Sequence, residues 1–163
     1  RLILALVLPL LVYSCSSYIE AEDLANKVFE AFKAKDVEQG LQYILTADDY
    51  EDFFNSSTLD DDEKDKLIKK CCNDKYVGER EKRFRKRFQK IISKGEKLGI
   101  VWNDAEFSHI IGPKDKTQHG VQADEIYVHF KHDTSNYVLT LDDCYKTSRG
   151  WLMSDEPRLK KED

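Results

Sequence analysis

The sequence predicts an α+β domain, with helices first and an antiparallel meander sheet after them. Three observations carry that expectation. From about residue 20 to 95 the apolar residues recur every three or four positions, as on a helix with one buried face. From residue 99 they alternate with polar residues, as on a strand with one buried face. Short stretches bearing Gly, Pro, Asn and Ser separate the alternating runs, and short connections favour antiparallel neighbours. Helices followed by strands, without β-α-β alternation, place the fold in the α+β class.

The first helix is expected over residues 20–35. Ala21, Leu24, Val28 and Phe32, with Ala25 and Phe29, make one apolar stripe at helical spacing. Asp36 reads as an N-cap with Gln39 three positions on, so a short helix holding Leu41, Ile44 and Leu45 should follow. Gly40 weakens it by about 1 kcal/mol relative to alanine. Thr46 and Asp49 repeat the cap signal before Tyr50, Phe53 and Phe54, and Asn55-Ser56-Ser57 breaks that run. Residues 58–72 read as another helix, with a short apolar side of Leu67, Ile68 and Cys71. Its acids from Asp60 to Glu63 come first and Lys69-Lys70 last, as the helix dipole prefers. The longest helix is expected over 77–94, with Phe84, Phe88, Ile91 and Ile92 inward and Gly95 as its C′ stop.

Residues 99–111 then hold Val101, Ala105 and Phe107 at even spacing, opposite Trp102, Asp104 and Glu106. A Gly-Pro loop covers 112–120. Ile126, Val128 and Phe130 alternate with Tyr127, His129 and Lys131, residues 133–136 turn, and Tyr137, Leu139 and Leu141 alternate again. Ser148-Arg149-Gly150 turn into a short strand at 151–153. The polar stretch 157–163 is expected to fray.

The chain opens on thirteen nearly unbroken apolar positions, 2–14, interrupted by Pro9. A spanning helix needs about 20, whereas thirteen suits the core of a signal peptide. Arg1 supplies one positive charge ahead of it. The stretch Val12-Tyr13-Ser14-Cys15, followed by two serines, resembles a bacterial lipobox, with Tyr13 where a small or branched residue is commoner. Loose boxes of this kind are similar to those of Bacteroidetes lipoproteins. The resemblance implies that residues 1–14 are a signal peptide and that Cys15 becomes a lipidated N-terminus. Residues 15–19 are then a tether, 20–156 a single domain and 157–163 a polar tail. The expected location is the bacterial cell envelope, with the membrane as partner through the acyl chains, each methylene contributing about 0.8 kcal/mol. A plain secretory signal cut near Ser14 and a buried N-terminal helix are the other readings.

About 150 residues beyond the leader suit one domain with one core. Eight Phe, eight Tyr and two Trp exclude the disordered class. The net charge of −5 hides an asymmetry. Residues 48–65 carry nine acids and one lysine, while 77–98 carry nine bases and three acids. Partners are therefore to be sought in local charge. The run from Arg80 to Lys90 reads as the solvated back of the long helix, facing the acidic segment. An anionic lipid surface is the second reading, and nucleic acid conflicts with export.

The first helix ends in Phe29-Glu30-Ala31-Phe32-Lys33-Ala34-Lys35-Asp36, a short helix with Tyr43 follows, and the closing strands end at Trp151. Over residues 20–46 and 99–155 this pattern resembles the NTF2-like (cystatin-like fold) superfamily. The resemblance implies a curved sheet wrapped on helices, forming a cone with an apolar mouth. Phe32, Tyr43, Phe107, Phe130, Leu139 and Trp151 are the candidate pocket residues. Such cones host isomerases, dehydratases and non-catalytic binders alike. An isomerase would aim an Asp base and a Tyr or acid donor into the pocket. Asp104 and Glu106 are solvated if the face of Val101, Ala105 and Phe107 is the core. A non-catalytic domain taking an apolar small molecule or an envelope protein is therefore expected, without a cofactor. The alternatives are a small-molecule enzyme in the same cone and a secreted eukaryotic protein glycosylated at Asn55.

Metal chemistry finds little support. His129 and His132 stand three apart on one strand and point to opposite faces. His109 and His119 flank a loop, and no tight ligand pair of the zinc kind occurs. The acids from Asp60 to Glu63 lack the alternating spacing and central glycine of a calcium loop. No Gly-rich phosphate loop, nucleophile elbow or Cys-x-x-Cys is present. Besides Cys15 there remain Cys71, Cys72 and Cys144. In an oxidising compartment a bridge such as Cys72 to Cys144 would leave one odd thiol; the other reading is three buried free thiols.

Overall fold

The computed structural model describes residues 18–114, 116–118, 120–154 and 156–162. Among the described residues, five α-helices come first and a six-stranded antiparallel sheet follows, the α+β order expected. Helix α1 (Ala21–Ala34) buries Leu24, Ala25, Val28, Phe29, Ala31 and Phe32, the stripe its spacing predicts. The Asp36 side chain accepts from the N–H groups of Glu38 and Gln39 and so caps α2 (Val37–Leu41). That helix stops short of Ile44 and Leu45. Their segment is drawn to the sheet edge instead, where Leu45 N donates to Met153 O at 2.9 Å and Met153 N to Tyr43 O at 2.9 Å.

Thr46 and Asp49 form a complete capping box on α3 (Ala47–Ser56), and Asp60 caps α4 (Asp61–Cys71). Helix α5 (Asp74–Lys97), capped by Asn73, outruns its expected span at both ends. Gly95 therefore lies inside it and is not its stop. Its missing side chain makes room for an indole: a Cβ there would sit 2.5 Å from Trp102 Cζ2. The helix ends at Leu98, before Gly99 at φ 86.

Residues 102–104 form a 3₁₀ turn and not the start of a strand. Trp102 is 1% exposed and its Nε1 donates to Ile92 O at 3.2 Å, while Val101 is 53% exposed. The expected faces of these two residues are thus exchanged, because a 3₁₀ turn does not alternate. Strands β1 (Glu106–Ile111) and β2 (Thr117–Gln118) pair with β3 (Val121–His132), which forms a long hairpin with β4 (Ser135–Thr147). The other edge of β4 holds two strands in tandem. β5 (Gly150–Met153) lies opposite Cys144 to Thr147, and β6 (Arg158–Lys161) lies opposite Tyr137 to Thr140.

The tail expected to fray is therefore part of the sheet. β4 has thirteen residues and β5 covers four of them, which leaves backbone donors and acceptors for another strand. Leu159, the one apolar residue of β6, is 5% exposed.

The inner sheet face presents Ile126, Val128, Phe130, Tyr137, Leu139 and Leu141 to α1 and α5. A second, smaller cluster of Leu45, Tyr50, Phe53, Phe54, Cys71 and Leu152 lies under α3 and α4.

Candidate functional site

Residues 1–14 and Cys15, the expected signal peptide and lipidation site, lie outside the described residues. The chain that follows Cys15 is held from Ile19 onward. Ile19 N donates to Arg149 O at 3.0 Å and Trp151 N donates to Ile19 O at 2.8 Å. Gly150 permits this approach: its φ is 107, and a Cβ there would lie 2.2 Å from Ile19 O.

The six pocket candidates share one core. Phe32, Phe130 and Leu139 are sealed, Trp151 is buried, and Tyr43 and Phe107 are half-buried at its margin. Phe32 stacks on Phe88 with ring centroids 4.2 Å apart and on Trp102 at 5.6 Å. Phe130 meets Trp102 at 5.9 Å, Tyr137 at 5.4 Å and Phe29 at 5.1 Å. These ring contacts bind α1, α5, the 3₁₀ turn and the sheet into one aromatic core. Asp104 and Glu106 are exposed.

Cys71, Cys72 and Cys144 are free thiols, so the bridge considered between Cys72 and Cys144 is not formed. They belong to different layers. Cys144 is sealed in the main core, where its Sγ donates to Leu141 O at 3.5 Å, whereas Cys72 ends α4 beside the smaller cluster. Burial pushes all three thiols upward, which works against a thiolate nucleophile.

The histidines are arranged in a way the sequence does not reveal. His132 is buried, and its Nε2 accepts from Val101 N at 3.3 Å. His129 lies on the other face, where the strand register sets His109 directly against it. Their rings stack 4.5 Å apart at 5°, and Glu162 approaches His129 Nδ1 at 3.3 Å. A bulge between Phe107 and His109 brings this about, and bulges carry no reliable sequence signal. Among the described residues, no three His, Cys, Asp or Glu side chains converge as a metal site.

The bases from Lys82 to Lys90 are exposed or half-buried, the solvated back expected, but Arg80 is buried and the partners of the run are not the acidic segment. Among the described residues, no ion pair joins the bases of 77–98 to the acids of 48–65. Arg85 pairs with Glu38, and both Arg87 (2.7 Å) and Arg83 (4.0 Å) reach Glu156. Arg80 points inward and lies over the Tyr50 ring at 4.6 Å, with Nε and Nη1 unpartnered.

Between α5 and β6 runs a groove of about 450 Å³. Arg87, Lys90 and Lys94 form its helical bank, Arg158 and Lys160 its strand bank, and Ile91 and Leu159 its floor. Lys94 Nζ donates to Leu159 O at 2.6 Å and ties the banks together. A second depression of about 490 Å³ continues along α5 past Lys86, Lys90 and Lys97. Elsewhere Asp60, Asp61, Asp62 and Glu63 line an acidic hollow of about 540 Å³.

Beside the strand bank, Arg158 donates to Asp142 at 2.6 Å and to Glu125 at 3.1 Å. Burial, together with a hydrogen bond to Glu125, pushes the Asp142 carboxyl up to about 6. The Tyr127 hydroxyl donates to Glu125, and this bond with the one to Asp142 holds Glu125 below its usual range. The two carboxyls titrate as a pair.

Comparison of the chain with family models, with curated proteins and with solved structures finds no match. The described geometry offers recognition by fixed surface charge. The sequence makes one bank of the cationic groove visible, the basic run of α5. The other bank lies in the stretch expected to fray, so the groove itself is not legible from sequence.

Proposed function

We propose that this chain is an exported lipoprotein of the cell envelope, anchored through acyl chains on Cys15. Its domain is an NTF2-like, non-catalytic interaction module. The ring packing of Phe32, Phe88, Trp102 and Phe130, the observation that carries this reading, supports a non-catalytic domain. A cone-type enzyme keeps a titratable group inside an apolar cavity. Here the buried polar groups of the inner sheet face are engaged structurally: Tyr137 Oη donates to Leu98 O at 3.2 Å, and His132 accepts from Val101 N. Recognition then falls to the outer surface.

The helix-first order, the α1 stripe and the meander sheet support the NTF2-like assignment. The lipobox-like Val12-Tyr13-Ser14-Cys15 supports the anchor. Ile19 docks at Gly150 four positions beyond Cys15, and four residues span at most about 14 Å. Lipidated Cys15 would therefore keep the domain close against the bilayer. Among the described residues, no helix is long and apolar enough to cross a membrane.

Mass spectrometry of the protein isolated from its native envelope tests the anchor. The expected species begins at Cys15 and carries acyl mass. A chain retaining residues 1–14, or an unmodified Cys15, overturns it.

A further inference from the structure

Lys86, Lys90, Lys94 and Lys97 recur at three- and four-residue spacing and so share one face of α5, about 17 Å long at the helical rise. β6 brings Arg158 and Lys160 to the opposite bank. Carboxylates answer only part of this charge: Glu156 takes Arg87, and Asp142 with Glu125 takes Arg158. Among the described residues, Lys86, Lys90, Lys97 and Lys160 have no acidic partner. A row of uncompensated cations on two rigid elements attracts anions. Its length exceeds what one phosphate can span.

We propose that the α5–β6 face docks on anionic phospholipid headgroups and so sets the orientation of the tethered domain on its bilayer. The orienting role rests on the anchored reading above. Topology favours a lipid surface over an acidic protein. One edge of β4 holds β3, while the other holds both β5 and β6, and Ile19 pairs on the outer side of β5. The tether and the cationic face therefore lie on the same edge of the sheet. Gly150 faces Thr147 and Arg158 faces Thr140, seven positions along β4, or about 23 Å at the rise of a strand. A bilayer holding the tether is within reach of the groove. The acids from Asp60 to Glu63 line a different hollow, and an anionic surface repels them. The net charge of −5 therefore does not prevent docking; its uneven placement turns the domain.

The test uses the chain from residue 15 onward, which keeps every described element, with Cys15→Ser so that no acyl chain contributes. It is sedimented with vesicles of phosphatidylcholine alone and of phosphatidylcholine with phosphatidylglycerol. Apparent affinity for the anionic vesicles should be higher by about tenfold or more and should collapse as salt is raised. K86Q/K90Q/K97Q/K160Q should lower it by about tenfold. K64Q/K66Q/K69Q/K70Q makes the same charge change on α4 and should leave it within about twofold. Equal binding to both vesicle types, or equal loss in both variants, overturns the proposal. The salt series on the parent chain decides the matter without any variant. Inorganic polyphosphate bound while vesicles stay free assigns the face to a soluble polyanion and also overturns it. An unmodified Cys15 in the native protein would remove the anchor and leave this measurement untouched.

Discussion

Helices α4 and α5 stand next to each other in sequence, and both are rich in charge, yet they carry very different loads. Each has a polar N-cap, acid in its first turn and lysines in its last. α4 buries Cys71 alone, whereas α5 buries Arg80, Phe84, Phe88, Ile91, Ile92 and Gly95. Charge pattern and caps thus mark where a helix begins and ends. The apolar stripe decides whether the core depends on it. α5 is the spine of the main core, while α4 covers the smaller cluster.

The largest expected effect sets the two helices against each other. Phe88 is sealed between Phe32 and Phe84, so Phe88→Ala should cost about 3–5 kcal/mol. Leu67 on α4 is half-buried, and Leu67→Ala should cost less than about 1 kcal/mol. Urea unfolding measures both. Similar losses would mean that α4 bears as much of the core as α5.

The next comparison lies within α5. Gly78 has nothing within 4 Å of where a Cβ would stand, so Gly78→Ala should stabilise the chain by about 0.5–1 kcal/mol through helix propensity. Gly95 faces the Trp102 ring, and Gly95→Ala should instead destabilise by about 1–2 kcal/mol as the indole is displaced. Two thermal melts settle the signs. A gain at both sites would show that Trp102 can move aside.

These glycines also mark what the sequence can and cannot tell. The α1 stripe, the Thr46–Asp49 box and the alternation from Ile126 to Leu141 are local patterns, and each appears where its period places it. Gly95 reads as a stop because its partner Trp102, seven positions on, lies past the helix end in a 3₁₀ turn that helical periodicity does not reveal. β6 shows one apolar residue among charges, and only the uncovered edge of β4 makes it a strand. The cationic groove joins α5 to that strand across more than sixty positions, so half of the candidate site is hidden for the same reason. The His109–His129 stack depends on a bulge and is equally silent.

A pH series sharpens the contrast further, because the α5 face adjoins a half-buried carboxyl pair while the α4 acids are solvated. The Asp142 carboxyl sits at about 6, above its ordinary 3.8. Between those values the folded chain keeps a proton that the unfolded chain has released. The contribution of Asp142 is therefore full below about 4 and is lost as pH rises through about 6. Glu125, held low, acts in the opposite direction, and its contribution is lost as pH falls below the usual carboxylate range. Asp142→Asn cannot titrate and should flatten the fall between pH 4 and 6 by about 1–2 kcal/mol, read from urea midpoints across that range. An unchanged slope in the variant would place the titration elsewhere.

The smallest effect tests whether α4 opens on its own. Asp60 Oδ1 accepts from Glu63 N at 2.8 Å, and Asn73 Oδ1 accepts from Tyr76 N at 2.9 Å, so the two helices have chemically similar caps. The Asn73 amide also donates to Lys69 O and Lys70 O and closes the end of α4. Loss of such a cap costs about 1 kcal/mol. In Asn73→Ala that cost should appear in full in global urea stability, because α5 can unfold only with the main core. In Asp60→Ala the global change should stay under about 0.5 kcal/mol, while amide exchange across residues 61–71 quickens about fivefold. Equal global losses from the two caps would join α4 to the same cooperative unit as α5, since a helix that frays alone cannot pass its cap energy to the rest of the fold.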